Sequence, residues 1–147
     1  MTLPTVSRRM RAVRQRGTKC EAVLEAAMTA ANLAYSQHSL IYNCRPDFSF
    51  FDERLVVFVD GDFWHGRILI DKGDRALRRS FKPVQRKFWV TKILRNVDRD
   101  CRQTARLRRN GWSVVRVWER EVLSDPVGVV DRLCERLRRR RKSLLRV

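Results

Sequence analysis

Two β-prone runs separated by a short polar joint occupy residues 45–60, and no other stretch constrains the fold as tightly. The first is Arg45-Pro46-Asp47-Phe48-Ser49-Phe50-Phe51, the joint is Asp52-Glu53, and the second is Arg54-Leu55-Val56-Val57-Phe58-Val59-Asp60. Paired runs of this kind form a hairpin, although Asp-Glu is not the favoured turn chemistry. With Asp52-Glu53 as the loop, Asp47 falls opposite Phe58 on one face, and Asp60 lies a diagonal step away on that face. Two carboxylates then converge within reach of one hard divalent cation such as Mg²⁺, which takes oxygen ligands.

The second run continues into Gly61-Asp62-Phe63-Trp64-His65, so a carboxylate, a glycine, a second carboxylate, two aromatics and a histidine follow one another. Each has an ordinary reading: Asp60 and Asp62 as turn formers, Phe63 and Trp64 as core, His65 as structural. Their adjacency favours a strand that ends in an active site. Pro-Asp followed by a second acidic strand is the pattern of metal-dependent nucleases. The usual acid-x-lysine ending is missing, which leaves His65 as the candidate base.

Around the hairpin the periodicity is helical. Thr18-x-x-Glu21 has capping-box spacing, and Cys20, Leu24, Ala27, Met28 and Ala31 recur as on a helix ending near Asn32. Glu21 is either the cap partner or a carboxylate held near a metal. Residues 36–43 read as a polar joint and residues 66–84 as an exposed loop. From Pro83 a long helix runs to about Arg109, stopped by Asn110-Gly111. Trp89, Ile93, Asn96, Asp100 and Leu107 share one stripe of it, so Asp100 faces inward and needs a partner, either an imidazole or an arginine. Trp112–Trp118 alternates as a strand, and Asp125-Pro126 opens a last helix with Val127, Val130, Leu133 and Leu137 inward. The expectation is a single α/β domain over residues 1–147, with a mixed central sheet flanked by helices of restriction-endonuclease type. Residues 1–17 form a basic helix or arm, and residues 126–147 a basic C-terminal helix.

The net charge of +17 comes from 33 Lys and Arg against 16 Asp and Glu, spread over several elements. That balance points to a polyanion partner, and nucleic acid suits it better than a membrane surface. No apolar run reaches the roughly 18 residues of a spanning helix, nor does the N-terminus read as a signal peptide, so a cytoplasmic, nucleoid-associated protein is expected. Cys20, Cys44, Cys101 and Cys134 show no paired spacing and read as reduced thiols. With no coiled-coil seam, a monomer is expected.

The motifs Arg45-Pro46-Asp47, Phe58-Val59-Asp60-Gly61-Asp62-Phe63-Trp64-His65-Gly66, Phe88-Trp89-x-x-Lys92-Ile93-x-x-Asn96-x-x-Arg99-Asp100 and Gly111-Trp112-x-Val114-x-x-Val117-Trp118-Glu119 together resemble the very short patch repair (Vsr) endonucleases. The likeness spans roughly residues 7–121. It implies a Mg²⁺-dependent enzyme that nicks one DNA strand beside a T:G mismatch. It further implies Asp47 and the Val59 carbonyl on the metal, Glu21 on metal-bound water, and His65 activating the attacking water with Asp100 orienting it, Asp60 lying on the metal side. Phe63, Trp64 and Trp89 would enter the base stack, Met10 would approach from the other groove, and Lys92 and Asn96 belong to the same DNA-facing motif. Family members commonly hold a structural zinc. The corresponding positions here are Asp62, Arg67, Leu69 and Arg120, a set unsuited to zinc, so no zinc site is expected. Repair-protein partners are left open. Two alternatives stand beside this reading: a Vsr-like homing or defence nuclease that cuts paired DNA at a site, and a non-catalytic DNA-binding module.

Overall fold

The computed structural model describes residues 19–62 and 66–146. The basic N-terminal arm with Met10, the cap residue Thr18, and Phe63, Trp64 and His65 lie outside the described residues. Strands β1 (Ser36–Gln37), β2 (Phe48–Phe50), β3 (Leu55–Asp60) and β4 (Ser113–Trp118) form one sheet in that order. The first two pairings are antiparallel and β3 runs parallel to β4. Parallel neighbours need a crossover, which the chain supplies through α2 (Arg67–Lys72), α3 (Asp74–Arg79) and α4 (Pro83–Arg109).

Helices cover both faces of the sheet, which is why β3 reads as a continuous apolar run. Leu55 and Val57 join a core with Leu24 and Met28 of α1 (Lys19–Ala30), Val122 of α5 (Glu119–Ser124), and Val130, Leu133 and Leu137 of α6 (Pro126–Leu145). Val56 and Phe58, pointing the other way, pack with Ile41, Cys44, Val114 and with Leu107 of α4. The hairpin pairs Phe48 with Val57, Ser49 with Val56 and Phe50 with Leu55, the register expected from the sequence. Its turn occupies residues 51–54, with Arg54 in the left-handed region at φ 50°.

The long helix has the expected ends: proline in its first turn, Asn110 at its C-cap and Gly111 at φ 86°. Trp89, Ile93, Asn96, Asp100 and Leu107 are buried along it as the stripe requires, with Val90 beside them. In α6 the inward set is Val129, Val130, Leu133 and Leu137, whereas Val127 is 65% exposed. The Asp125 carboxylate caps the Gly128 N–H at 3.0 Å, fixing a start that turns the first-turn valine outward.

Two further expectations are corrected. Residues 66–84 are not a loop but contain α2 and α3, whose Leu77 is buried with Val90 and Ile93 while Leu69, Phe81 and Val97 pack against them. Few apolar residues among many charges hid this third core, and (i, i+4) pairs Arg67–Asp71 and Arg78–Asp74 support the short helices. Residues 36–43 are more than a joint: β1 lies there, and Tyr42 and Asn43, at φ 47° and 62°, make a tight reversal between the bridged Ile41 and Cys44. Part of the basic C-terminal helix is structural. Arg140 donates to the carbonyls of Glu53 at 3.0 Å and Gly111 at 2.6 Å, and Arg141 pairs with Glu53 at 2.9 Å.

Gly66 itself packs closely against α4. It sits at φ 67°, and a Cβ there would stand 2.7 Å from a methyl of Val97 and 3.0 Å from one of Ile93. Gly66→Ala therefore combines left-handed strain with overpacking and costs about 1–3 kcal/mol. Thermal unfolding should show a fall of roughly 2–4 °C per kcal/mol lost, and an unchanged midpoint would refute the close packing.

Candidate active site

The C-terminal end of β3 gathers the carboxylates. Asp47, one residue before β2, accepts the Val59 N–H on Oδ2 at 2.7 Å, so the hairpin itself aims it. Glu21, in the first turn of α1, is buried and lies beside it. Across β1 the pairing of Ser36 with Ser49 and Gln37 with Phe48 brings His38 next to Asp47, whose carbonyl accepts the His38 N–H at 3.3 Å. The His38 Nε2 lies 3.4 Å from a Glu21 carboxylate oxygen. One ligand atom each from Glu21, His38 and Asp47 lie within 4.8 Å of one another. The sequence reading took 36–43 for a joint and missed His38.

This corner is electrostatically crowded. Burial pushes the Asp47 carboxyl up to about 7; the Val59 N–H works against that, and the neighbouring Glu21 and Asp60 carboxylates add to it. The Cys20 thiol is pushed up to about 12 by burial and by Glu119, Glu21, Asp47 and Asp62, so it is an inert neutral group. Burial, then Asp62, also raises Glu119. A focus of negative charge inside a chain of net +17, with two carboxylates and an imidazole converging, is a donor set that fits a divalent cation.

A guanidinium serves the adjoining carboxylates. Arg116 of β4 donates from Nη1 to both Asp60 carboxylate oxygens at 3.0 and 3.2 Å, from Nη2 to the Asp100 carbonyl at 3.2 Å and from Nε to Thr104 Oγ1 at 2.9 Å, and lies over the Phe58 ring. Its Nη1 is 3.8 Å from Asp100 Oδ1, as is Arg99 Nη2. Asp60, expected to converge with Asp47 on a cation, is thus committed to Arg116, and the three-way cluster joins Asp47 with Glu21 and His38 instead. Asp60, Val97, Asp100, Thr104, Arg116 and Trp118 line a cleft of about 430 Å³ on this side.

Asp62 pairs with Arg67 at 3.2 Å and with Arg120 at 3.6 Å, and its carbonyl accepts the Arg67 N–H at 3.0 Å. Three of the four positions aligned with zinc ligands are therefore joined by charge, while Leu69 packs into the third core. Trp89, expected in the base stack, is 4% exposed and stacked with Phe81; its neighbour Phe88 is 54% exposed, with Lys92 Nζ 5.9 Å from the ring centre. The outward aromatic of that pair is Phe88, because Trp89 lies on the inward stripe. Asn96 is buried on the same stripe.

Comparison with known proteins bears on what such a site does. Residues 2–70 match the family model of DNA mismatch endonuclease Vsr. The Escherichia coli K12 DNA mismatch endonuclease Vsr is 35% identical over 138 residues, covering 90% of this chain and 81% of that protein. The chain belongs to the Vsr endonuclease family. Other Vsr-like relatives are called type II nicking enzymes: V.NmeDIP of Neisseria meningitidis serogroup C is 36% identical over 88% of this chain and 83% of its own. V.NaeI of Lentzea aerocolonigenes is 37% identical over 86% and 75% respectively. A Vsr-family chain is a DNA endonuclease with DNA as its substrate, which removes the reading as a non-catalytic binding module. Among the described residues no helix is long and apolar enough to cross a membrane.

Removing Arg116 leaves the buried Asp60 carboxylate without its guanidinium. Arg116→Met should destabilise the protein by about 3–5 kcal/mol in urea unfolding, and adding Asp60→Asn should recover most of that. Additive losses in the double variant would show that the pair is not coupled.

Proposed function

We propose that this protein is a Mg²⁺-dependent endonuclease that nicks one strand of double-stranded DNA next to a T:G mismatch, on a fold of restriction-endonuclease type. The observation that carries the reading is the convergence of Glu21 and Asp47 at the end of β3, in a chain whose relatives include a mismatch endonuclease. Asp47 and the Val59 carbonyl would hold the cation, with Glu21 beside them. Bound there, Mg²⁺ would offset the charge that develops on the scissile phosphate. His65 takes the proton of the attacking water at its imidazole, and Asp100 orients that ring. Asp60 supports the arrangement through Arg116. Phe63 and Trp64, with Phe88 now a further candidate, supply rings to the opened base stack, which opens at least cost where pairing is already faulty. Met10 and Lys92 stand as further DNA contacts, whereas the buried Asn96 does not, and the protein acts as a monomer in the cytoplasm.

The type II nicking-enzyme names among the relatives favour a second reading, in which a related enzyme cuts a paired site. Strand-resolved cleavage of T:G-mismatched and matched duplexes separates the two. The first reading expects a mismatch-dependent nick on one strand that is abolished by chelator and reduced about 10²–10⁴-fold in Asp47→Ala and in His65→Ala. Equal cutting of both duplexes moves the conclusion to the second, and no cutting of any duplex with Mg²⁺ or Mn²⁺ sinks both.

A further inference from the structure

The donor set around Asp47 contains one group that the proposed mechanism does not use. His38 and Asp47 face one another across the β1–β2 pairing. The sheet continues its register by one step, from Gln37 opposite Phe48 to His38 opposite Asp47, closed by the His38 N–H on the Asp47 carbonyl at 3.3 Å. The backbone holds His38 at φ 53°, a left-handed conformation uncommon for a residue with a side chain. Its own carbonyl accepts from Arg45 Nη1 at 3.4 Å, so both main-chain groups of His38 are tied to the Arg45–Asp47 segment. The imidazole is directed at Glu21, with Nε2 3.4 Å from the carboxylate, and its side chain keeps 22% of its exposure. A mere surface histidine needs neither the strained backbone nor the shared corner.

We propose that His38 Nε2 is a further protein donor to the cation held at Asp47 beside Glu21, making this a mixed nitrogen and oxygen site that discriminates toward Mn²⁺ over Mg²⁺. The inference rests on the reading of this corner as the cation site. Ligands about 2.0–2.2 Å from one ion stand within roughly 4.4 Å of each other, so donors already within 4.8 Å need only a small closure. Mg²⁺ dehydrates reluctantly and takes oxygen, so an imidazole adds little to its binding. First-row transition ions gain from nitrogen, and an imidazole among carboxylates raises their affinity selectively. The second ring nitrogen, Nδ1, then carries the proton.

The test uses the full-length protein and the metals alone. Pulsed electron paramagnetic resonance of the Mn²⁺-loaded protein should show ¹⁴N coupling from a bound imidazole. The chain has two histidines, so the coupling should persist in His65→Ala and vanish in His38→Asn, where asparagine tolerates the left-handed backbone. Calorimetry should show Mn²⁺ affinity falling about tenfold in His38→Asn while Mg²⁺ affinity stays within about twofold. His38→Gln is measured in parallel, so that one poorly folded variant does not decide the matter. Coupling that survives both substitutions, or equal loss of both metals with circular dichroism unchanged, overturns the proposal. Mn²⁺ binding that is undiminished in Asp47→Ala overturns it too, by removing the site. A ¹⁴N signal assigned to His38 in a protein that cuts no duplex upholds the proposal while the nuclease reading falls.

Discussion

Burying several carboxylates at one end of a sheet is the constraint around which this structure is arranged. Glu21, Asp60 and Asp100 are buried and Asp47 is partly so, and charge in such a place must be paired, protonated or bound to metal. The molecule divides the task. On the α4 side a permanent cation, Arg116, bridges both oxygens of Asp60 with one nitrogen and reaches the main chain of Asp100 with another. On the α1 side Asp47 and Glu21 crowd together, and burial followed by its neighbours drives the Asp47 carboxyl up. One half carries its own positive charge, and the other is where the proposed cation would sit.

The backbone makes that division exact in position. Asp47 is aimed by the Val59 N–H from the next strand, so its direction depends on the hairpin register. The apolar alternation that fills both cores from β3 therefore also sets the geometry of the site, because Leu55 and Val57 must meet one set of helices while Val56 and Phe58 meet Leu107. An acidic focus in so basic a protein has a further consequence. DNA drawn by the long-range charge would meet carboxylates at the proposed point of cutting, and the proposed cation would stand between the two anionic partners.

Much of this was legible in residue spacing. The hairpin register, the ends of α4 and the inward turn of Asp100 follow from periodicity because long or fully apolar patterns are redundant: one misleading residue does not overturn them. Short elements lack that redundancy. β1 is two exposed residues, which show no alternation, so the histidine just after it passed as part of a polar joint. α2 and α3 have six residues each, with Leu69 and Leu77 diluted by charge. Phe88 and Trp89 are adjacent aromatics that only the helix phase distinguishes. Arg116 did carry a signal. Its place two residues after Val114 puts it on the face that meets α4, where an inward arginine and an inward Asp100 ask for one another.

The open question of whether an imidazole or an arginine partners Asp100 loses its force when the distances are compared. Arg116 Nη1 stands 3.0 Å from Asp60 and 3.8 Å from Asp100 Oδ1, so Asp60 absorbs most of the guanidinium's directed charge. The closer tie to Asp100 is through its main-chain carbonyl, at 3.2 Å, which fixes the backbone of α4 at that point without engaging the carboxylate strongly. In the proposed mechanism an arginine that saturated the carboxylate would suppress its orienting of a base, whereas one that holds the helix and is itself held by Asp60 steadies it. Asp60 and Arg116 then have a reason to be buried together: they set the position of Asp100 without competing for it. The arginine thus takes the carbonyl of Asp100 at the shorter distance, and in the mechanism proposed above the carboxylate is the part that would meet the imidazole.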